Sequence, residues 1–174
     1  MYLRQGMKAI IVFIKQETPM RIFIMPVVGL LLTLIFGINA DQVQIKTLQG
    51  LRTLNVIIEQ GDYEKAGLSR DFIKTSIELK LRMAKLTVDP AASEAMYFKC
   101  QIFDVSPGLL WYHIEMQILQ PASLKRNPDL FTFGSTWSVP FYGMVRKTAA
   151  KDKLTGLLTD MMNRFLGDYL AANQ

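Results

Sequence analysis

The chain has 174 residues, half of them hydrophobic and a fifth charged, enough for one folded domain with an added segment; that composition excludes a disordered chain and a polytopic membrane protein. One cysteine closes no internal disulfide, and together with a single histidine it cannot supply a structural zinc site of the usual nitrogen and sulfur ligands. The net charge of +5 is concentrated at the start, where residues 1–40 hold Arg4, Lys8, Lys15 and Arg21 against Glu17 alone, whereas residues 41–174 hold sixteen basic and fourteen acidic residues, interspersed. A phosphate-tracking surface needs clustered cations. The densest groups, Lys80, Arg82 and Lys85, and Arg146, Lys147 and Lys151, read as solvated faces, so no nucleic-acid partner is expected.

From Ile22 to Ala40 there is no charge, and Arg21 stands directly before the run. A positive n-region, an apolar h-region and the small or turn-forming Gly37, Asn39 and Ala40 predict a signal peptide cut between Ala40 and Asp41. Ile38, three residues before that cut, is larger than the site prefers, and nineteen uncharged residues also suffice to cross a hydrocarbon layer of about 30 Å as an uncleaved anchor. Met20 followed by Arg21 would begin a signal of ordinary length, so Met20 is an alternative start. The domain division is therefore 1–40, extension and signal, and 41–174, a single domain without repeats or internal linkers.

Within that domain Leu51, Leu54, Val56, Ile57 and Ile58 predict a buried strand over 53–59, closed by the turn-forming Gln60, Gly61 and Asp62. Ser69 is a helix cap, Asp71 suits the positive end of the helix dipole, and Phe72, Ile73, Ile77, Leu81 and Ala84 recur at helical spacing. The alternation from Ile77 to Met83 suits a strand equally well; the cap and about four turns of helix formers favour the helix. Leu86 to Val88 forms a short strand. Met96, Phe98, Cys100 and Ile102, and after a turn at Val105 to Gly108 Tyr112, Ile114, Met116 and Ile118, form the apolar rows of a hairpin. Its natural register sets Cys100 against Ile114, Phe98 against Met116, Lys99 against Glu115 and Gln101 against His113. A third strand covers Leu130 to Val139, with Phe131, Phe133, Ser135, Trp137 and Val139 on one side, and Pro140 ends it. From Ala149 to Leu170 the spacing of Leu154, Leu157, Leu158, Met161, Met162, Phe165 and Tyr169 predicts a long amphipathic helix.

This order gives an α+β fold, a two-layer sandwich in which two helices cover one face of a mainly antiparallel sheet of four to five strands, preceded by an N-terminal signal or anchor helix. The opposite face, carrying Trp111, His113, Glu115, Lys99 and Phe103, is then wet or covered by a partner. Gly67, Leu68 and Ser69 before the first helix, the alternating hairpin, the stretch Asn127 to Trp137 and the ending Phe165 to Asn173 resemble a group of bacterial secreted proteins of this size. The element order is similar to small envelope modules such as the amino-terminal domain of the TolB family, which act by binding partners; the likeness is of fold, and fold does not fix function.

His113 and Glu115 are two residues apart on one strand face, close enough for a carboxylate to orient an imidazole, with Ser135 or Ser138 as nucleophiles on the next strand. The plainer alternative is a solvated strand on which Lys99 pairs with Glu115. Cys100 sits in an apolar row, where a thiol acts as a small hydrophobe. Asp152, Asp160 and Asp168 share one solvated side of the last helix, about 12 Å apart per step, too far for joint acid–base work. No Gly-rich phosphate loop and no metal-ligand cluster is readable, so neither catalytic residues nor a cofactor is assigned. The expectation is an exported binding or accessory domain, periplasmic or secreted, that meets a protein partner of the cell envelope through Trp111, His113, Glu115 and Trp137. The alternatives are a hydrolase built on His113 and Glu115, and a subunit anchored in the inner membrane by residues 22–40.

Overall fold

Apolar alternation in strands and three-four spacing in helices dictate two layers here, because each pattern leaves one face that only another element can cover. The structure is a computed structural model and describes residues 41–174; the expected signal or anchor at Ile22–Ala40, with the alternative start at Met20, lies outside the described residues. Residues 41–46 are helical. The elements that follow are β1 (Thr53–Ile58), a 3-10 turn (Tyr63–Ala66), α1 (Arg70–Met83), β2 (Thr87–Val88), β3 (Ala95–Ser106), β4 (Leu109–Leu124), β5 (Asn127–Arg146), a second 3-10 turn (Lys147–Ala149) and α2 (Ala150–Ala172).

The sheet order is β2-β1-β3-β4-β5. β1 runs parallel to β2 and to β3, while β3, β4 and β5 are antiparallel, so the sheet is mixed. The hairpin register is the one that side-chain complementarity predicts, Phe98 opposite Met116, Lys99 opposite Glu115, Cys100 opposite Ile114 and Gln101 opposite His113. Pro107 and Gly108 close it, Gly108 taking the left-handed φ of +81° that glycine adopts without a Cβ penalty.

α1 begins where its cap stands: Ser69 is extended, and its Oγ accepts a hydrogen bond from the Phe72 amide. Ile73, Ile77 and Leu81 of α1, and Leu154, Leu157, Leu158, Met161, Met162 and Phe165 of α2, meet the even-numbered residues of β3 and β4 in one core. Asn173 ties the end of α2 to the lead-in of β1. Its Oδ1 accepts from the Gly50 amide at 2.8 Å and its Nδ2 donates to the Leu48 carbonyl at 3.1 Å.

Two expectations for the third long strand are corrected. It neither starts at Leu130 nor stops at Pro140, but runs from Asn127 to Arg146. Pro140 is tolerated because β5 is an edge strand: the Ser138 amide, two residues earlier in the same orientation, points away from β4 to the Gln44 side chain, so the proline nitrogen faces outward where no sheet partner needs it. Nor do Phe131 to Val139 share a side. Ile118 pairs with Trp137 but Leu119 pairs with Ser135, leaving Thr136 as the extra residue of a bulge, and the side-chain parity inverts across it. Trp137 and Val139 face the core, whereas Phe131, Phe133 and Ser135 turn to the face that carries Leu119 and Pro121.

Candidate functional site

β4 provides the middle of the face turned away from the helices. Its even-numbered residues from Leu110 to Ile118 are buried and its odd-numbered ones only half-buried, the pattern of a strand with one covered and one open side. Register then extends each odd residue into a row across three strands. Phe103, Trp111 and Met144 form one row; Gln101, His113 and Tyr142 the next; then Lys99, Glu115 and Pro140. The face thus grades from apolar to polar along the strands.

The apolar end is its most distinctive part. Phe103 is 53 % exposed, Met144 64 % and Tyr142 73 %, a contiguous set of large side chains where scattered single ones would need no explanation. Trp111 lies between them, half-buried, its ring 5.5 Å from that of Phe103 and 6.3 Å from that of His113. Gly143 makes this possible on the edge strand, because a Cβ there would stand 2.9 Å from the buried Tyr112 hydroxyl; β5 can close onto Tyr112 while Tyr142 and Met144 project to the other side.

At the polar end Gln117 Nε2 donates to Glu115 Oε1 at 2.7 Å. Lys99 lies opposite Glu115, but the two charges are neighbours and not a bridge, unlike Lys65 with Asp62 or Glu78 with Lys74 and Arg82. Beyond them Tyr97 has its pKa raised, first by burial and then by its hydrogen bond to the Glu59 carboxylate.

The sequence-derived candidates separate cleanly. Trp111, His113 and Glu115 lie together on the open face. Trp137 does not join them: it is 2 % exposed, stands edge-on to Phe165 at 5.3 Å and donates from Nε1 to Asp168 Oδ2 at 2.9 Å. Asp168 is therefore a partner of the core, not a third member of a solvated acidic row. The serines are not brought to the histidine either. Ser138 pairs with Gln117 and Ser135 with Leu119, and a separation of four residues along the strand, from His113 to Gln117, is about 13 Å, well beyond the hydrogen-bond reach a nucleophile and base require. Cys100 is buried, and burial pushes its thiol up to about 12, away from the thiolate that reactivity demands. Tyr142 and Met144 escape sequence reasoning because Pro140 reads as a stop; the alternation of Phe141, Gly143 and Val145 with Tyr142 and Met144 is the signal that marks the strand as continuing.

The sheet edge beside this face is partly occupied. Thr47 Oγ1 donates to the outward carbonyl of Thr136 at 3.1 Å, and Gln44 Oε1 accepts from the Ser138 amide at 3.2 Å; Pro140 follows with no amide to offer. Among the described residues no group of three or more His, Cys, Asp or Glu could hold a metal ion, and no helix is long and apolar enough to cross a membrane. The chain matches no protein-family model and no curated protein.

Proposed function

We propose that this is an exported, non-catalytic binding module of the bacterial cell envelope, acting in the periplasm or outside the cell, and that it engages a protein partner through its open sheet face. The observation that carries the reading is the row of Phe103, Trp111 and Met144 with Tyr142 beside it, more than half exposed at three of four positions. Aromatic side chains on a rigid sheet supply contact area at little entropic cost, a flexible methionine adapts to the partner's shape, and interfaces are enriched in both. The graded polar end, His113, Glu115 and Lys99, serves as the hydrogen-bonding rim that fixes orientation. Contact by the face rather than the edge follows from the Gln44 and Thr47 caps and from Pro140, which interrupt the ladder a visiting strand would need. The charge-free run after Arg21 supports export.

The test places a photo-crosslinking side chain at Tyr142, or at Lys153 on the exposed side of α2, in the full chain expressed in a bacterial envelope. An adduct of discrete mass is expected from position 142, absent from position 153, and lost when Trp111→Ala is added. Equal adducts from both positions, or indifference to Trp111→Ala, overturns the face as the interface. Intact-mass measurement of the recovered protein tests export separately: an amino terminus at or near Asp41 is expected, and retention of residues 22–40 transfers the protein to the membrane-anchored alternative.

A further inference from the structure

On the layer opposite the open sheet face, α1 and α2 run side by side in the same direction: Gly67, ahead of α1, adjoins Lys151 in the first turn of α2, and Lys80 Nζ donates to Asn163 Oδ1 at 3.3 Å. Between them lies a groove of about 820 Å³, within the size range of small-molecule sites. Its two ends differ in chemistry. Ser76, Lys80, Thr159 and Asn163 form one half, and Met83, Leu166 and Leu170 the other, at the far limit of which Lys85 stands, with Leu79 along the α1 wall. Met83 is 76 % exposed, Leu79 58 % and Leu170 55 %, so an apolar floor is left open to water. Two lysines, Lys80 and Lys85, line the groove and no acidic residue does.

From this arrangement we infer that the groove binds a free single-chain carboxylate, a fatty acid. The carboxylate sits at Lys80, whose ammonium has donors to spare beyond its bond to Asn163, and where the Asn163 amide nitrogen adds a further donor. The chain lies over Leu79, Met83, Leu166 and Leu170. From Asn163 to Leu170 the helix rises about 10 Å, so the groove holds about the first two thirds of an acyl chain of about 15 Å, half of a ~30 Å hydrocarbon layer, and the chain's end projects beyond Leu170. Charge favours an anionic head group, since the lining offers the Lys80 ammonium and no carboxylate.

The experiment titrates the full chain with dodecanoate, dodecanol and acetate, using displacement of a fluorescent fatty-acid analogue, with phospholipid vesicles as a separate arm. Saturable one-site binding of dodecanoate is expected, with acetate inert. Met83→Glu and Leu170→Glu, both at exposed positions that leave thermal unfolding unchanged, each weaken it on the order of tenfold by placing a charge against the chain. Lys80→Gln weakens dodecanoate about threefold and leaves dodecanol unaltered. Binding to vesicles alone, absence of saturation, or an affinity indifferent to Met83→Glu and Leu170→Glu overturns the inference. Because the groove and the sheet face share no residue, these outcomes leave the interface reading untouched.

Discussion

Two tryptophans, each on a long strand of the same hairpin, have opposite fates, and at Trp137 an inserted residue decides it. Thr136 bulges out of β5 and turns Trp137 inward onto Phe165 and Asp168, while Trp111 stays half-buried on the open face. Trp137→Ala therefore combines a large cavity with the loss of a charged hydrogen bond and is expected to cost about 3–5 kcal/mol. Trp111→Ala is expected to cost less than about 1 kcal/mol. Urea unfolding of both variants checks this, and similar midpoints would contradict the assignment of the two faces. The buried thiol and phenol make a second prediction. Burial raises Cys100 from 9.0 to about 12, and raises Tyr63 from 10.0 to about 12, with the Cys100 charge as the next cause. Between the unfolded and folded values the native state keeps protons that the unfolded chain releases, so stability falls as pH rises, by about 1.4 kcal/mol per pH unit for each such group. The loss begins near the ordinary thiol value for Cys100 and about one unit higher for Tyr63. Urea midpoints followed from about pH 8 to about pH 11 should decline less steeply in Cys100→Ala than in the parent, and parallel declines would remove Cys100 from the account.

At the level of elements, local chemistry decides where each one starts, and tertiary context decides how far it runs. α1 is the clearest case of the first. Its segment Ile77 to Met83 alternates like a strand, yet Ser69 satisfies the Phe72 amide and commits the chain to a helix. Ser69→Ala is expected to cost about 1 kcal/mol, with Ser69→Asp recovering it through the helix dipole; helical content and urea midpoint together read the effect, and an unchanged midpoint in Ser69→Ala would show that packing of Ile73, Ile77 and Leu81 alone sets the helix. β5 illustrates the second. Its length is invisible in the sequence because Pro140 and the bulge at Thr136 both look like terminations. A proline is a stop only where its missing amide had a partner, and being at the sheet edge is a property of topology, which no local window contains. The open-face residues on β3 and β4 are readable from alternation alone, whereas Tyr142 and Met144 depend on that unseen continuation, and Trp137 depends on a bulge that inverts the pattern. The groove between α1 and α2 is less legible still, since it needs the two helices to lie parallel and adjacent across more than eighty residues of sequence.

Across the molecule the two layers do not cover the sheet evenly, and this sets where it opens. Among the described residues the core includes Ile118 of β4 and Trp137 of β5, and none of the eighteen residues between them belongs to it. The β4–β5 hairpin therefore extends past the helices as an arm, its ladder continuing to Leu124 and Asn127 while Leu130, Phe131 and Phe133 are more than half exposed. A two-stranded ladder without a packed face is marginal in water, whereas the amides of β1, β3 and the first half of β4 lie over buried side chains and open only with the whole fold. Native-state hydrogen exchange should then divide β4 within a single strand. Amides from Leu110 to Ile118 exchange with the free energy of global unfolding and respond to denaturant with its slope. Those from Gln120 to Leu124, and their partners on β5, exchange through openings that denaturant hardly affects. Pro140 adds a second marker: it leaves the β5 edge without an amide, so the Tyr142 and Met144 amides, which share its outward orientation, should exchange faster than that of Gly143. Uniform protection along β4 would mean that the arm is packed against something, and would place the limit of the core beyond the bulge at Thr136.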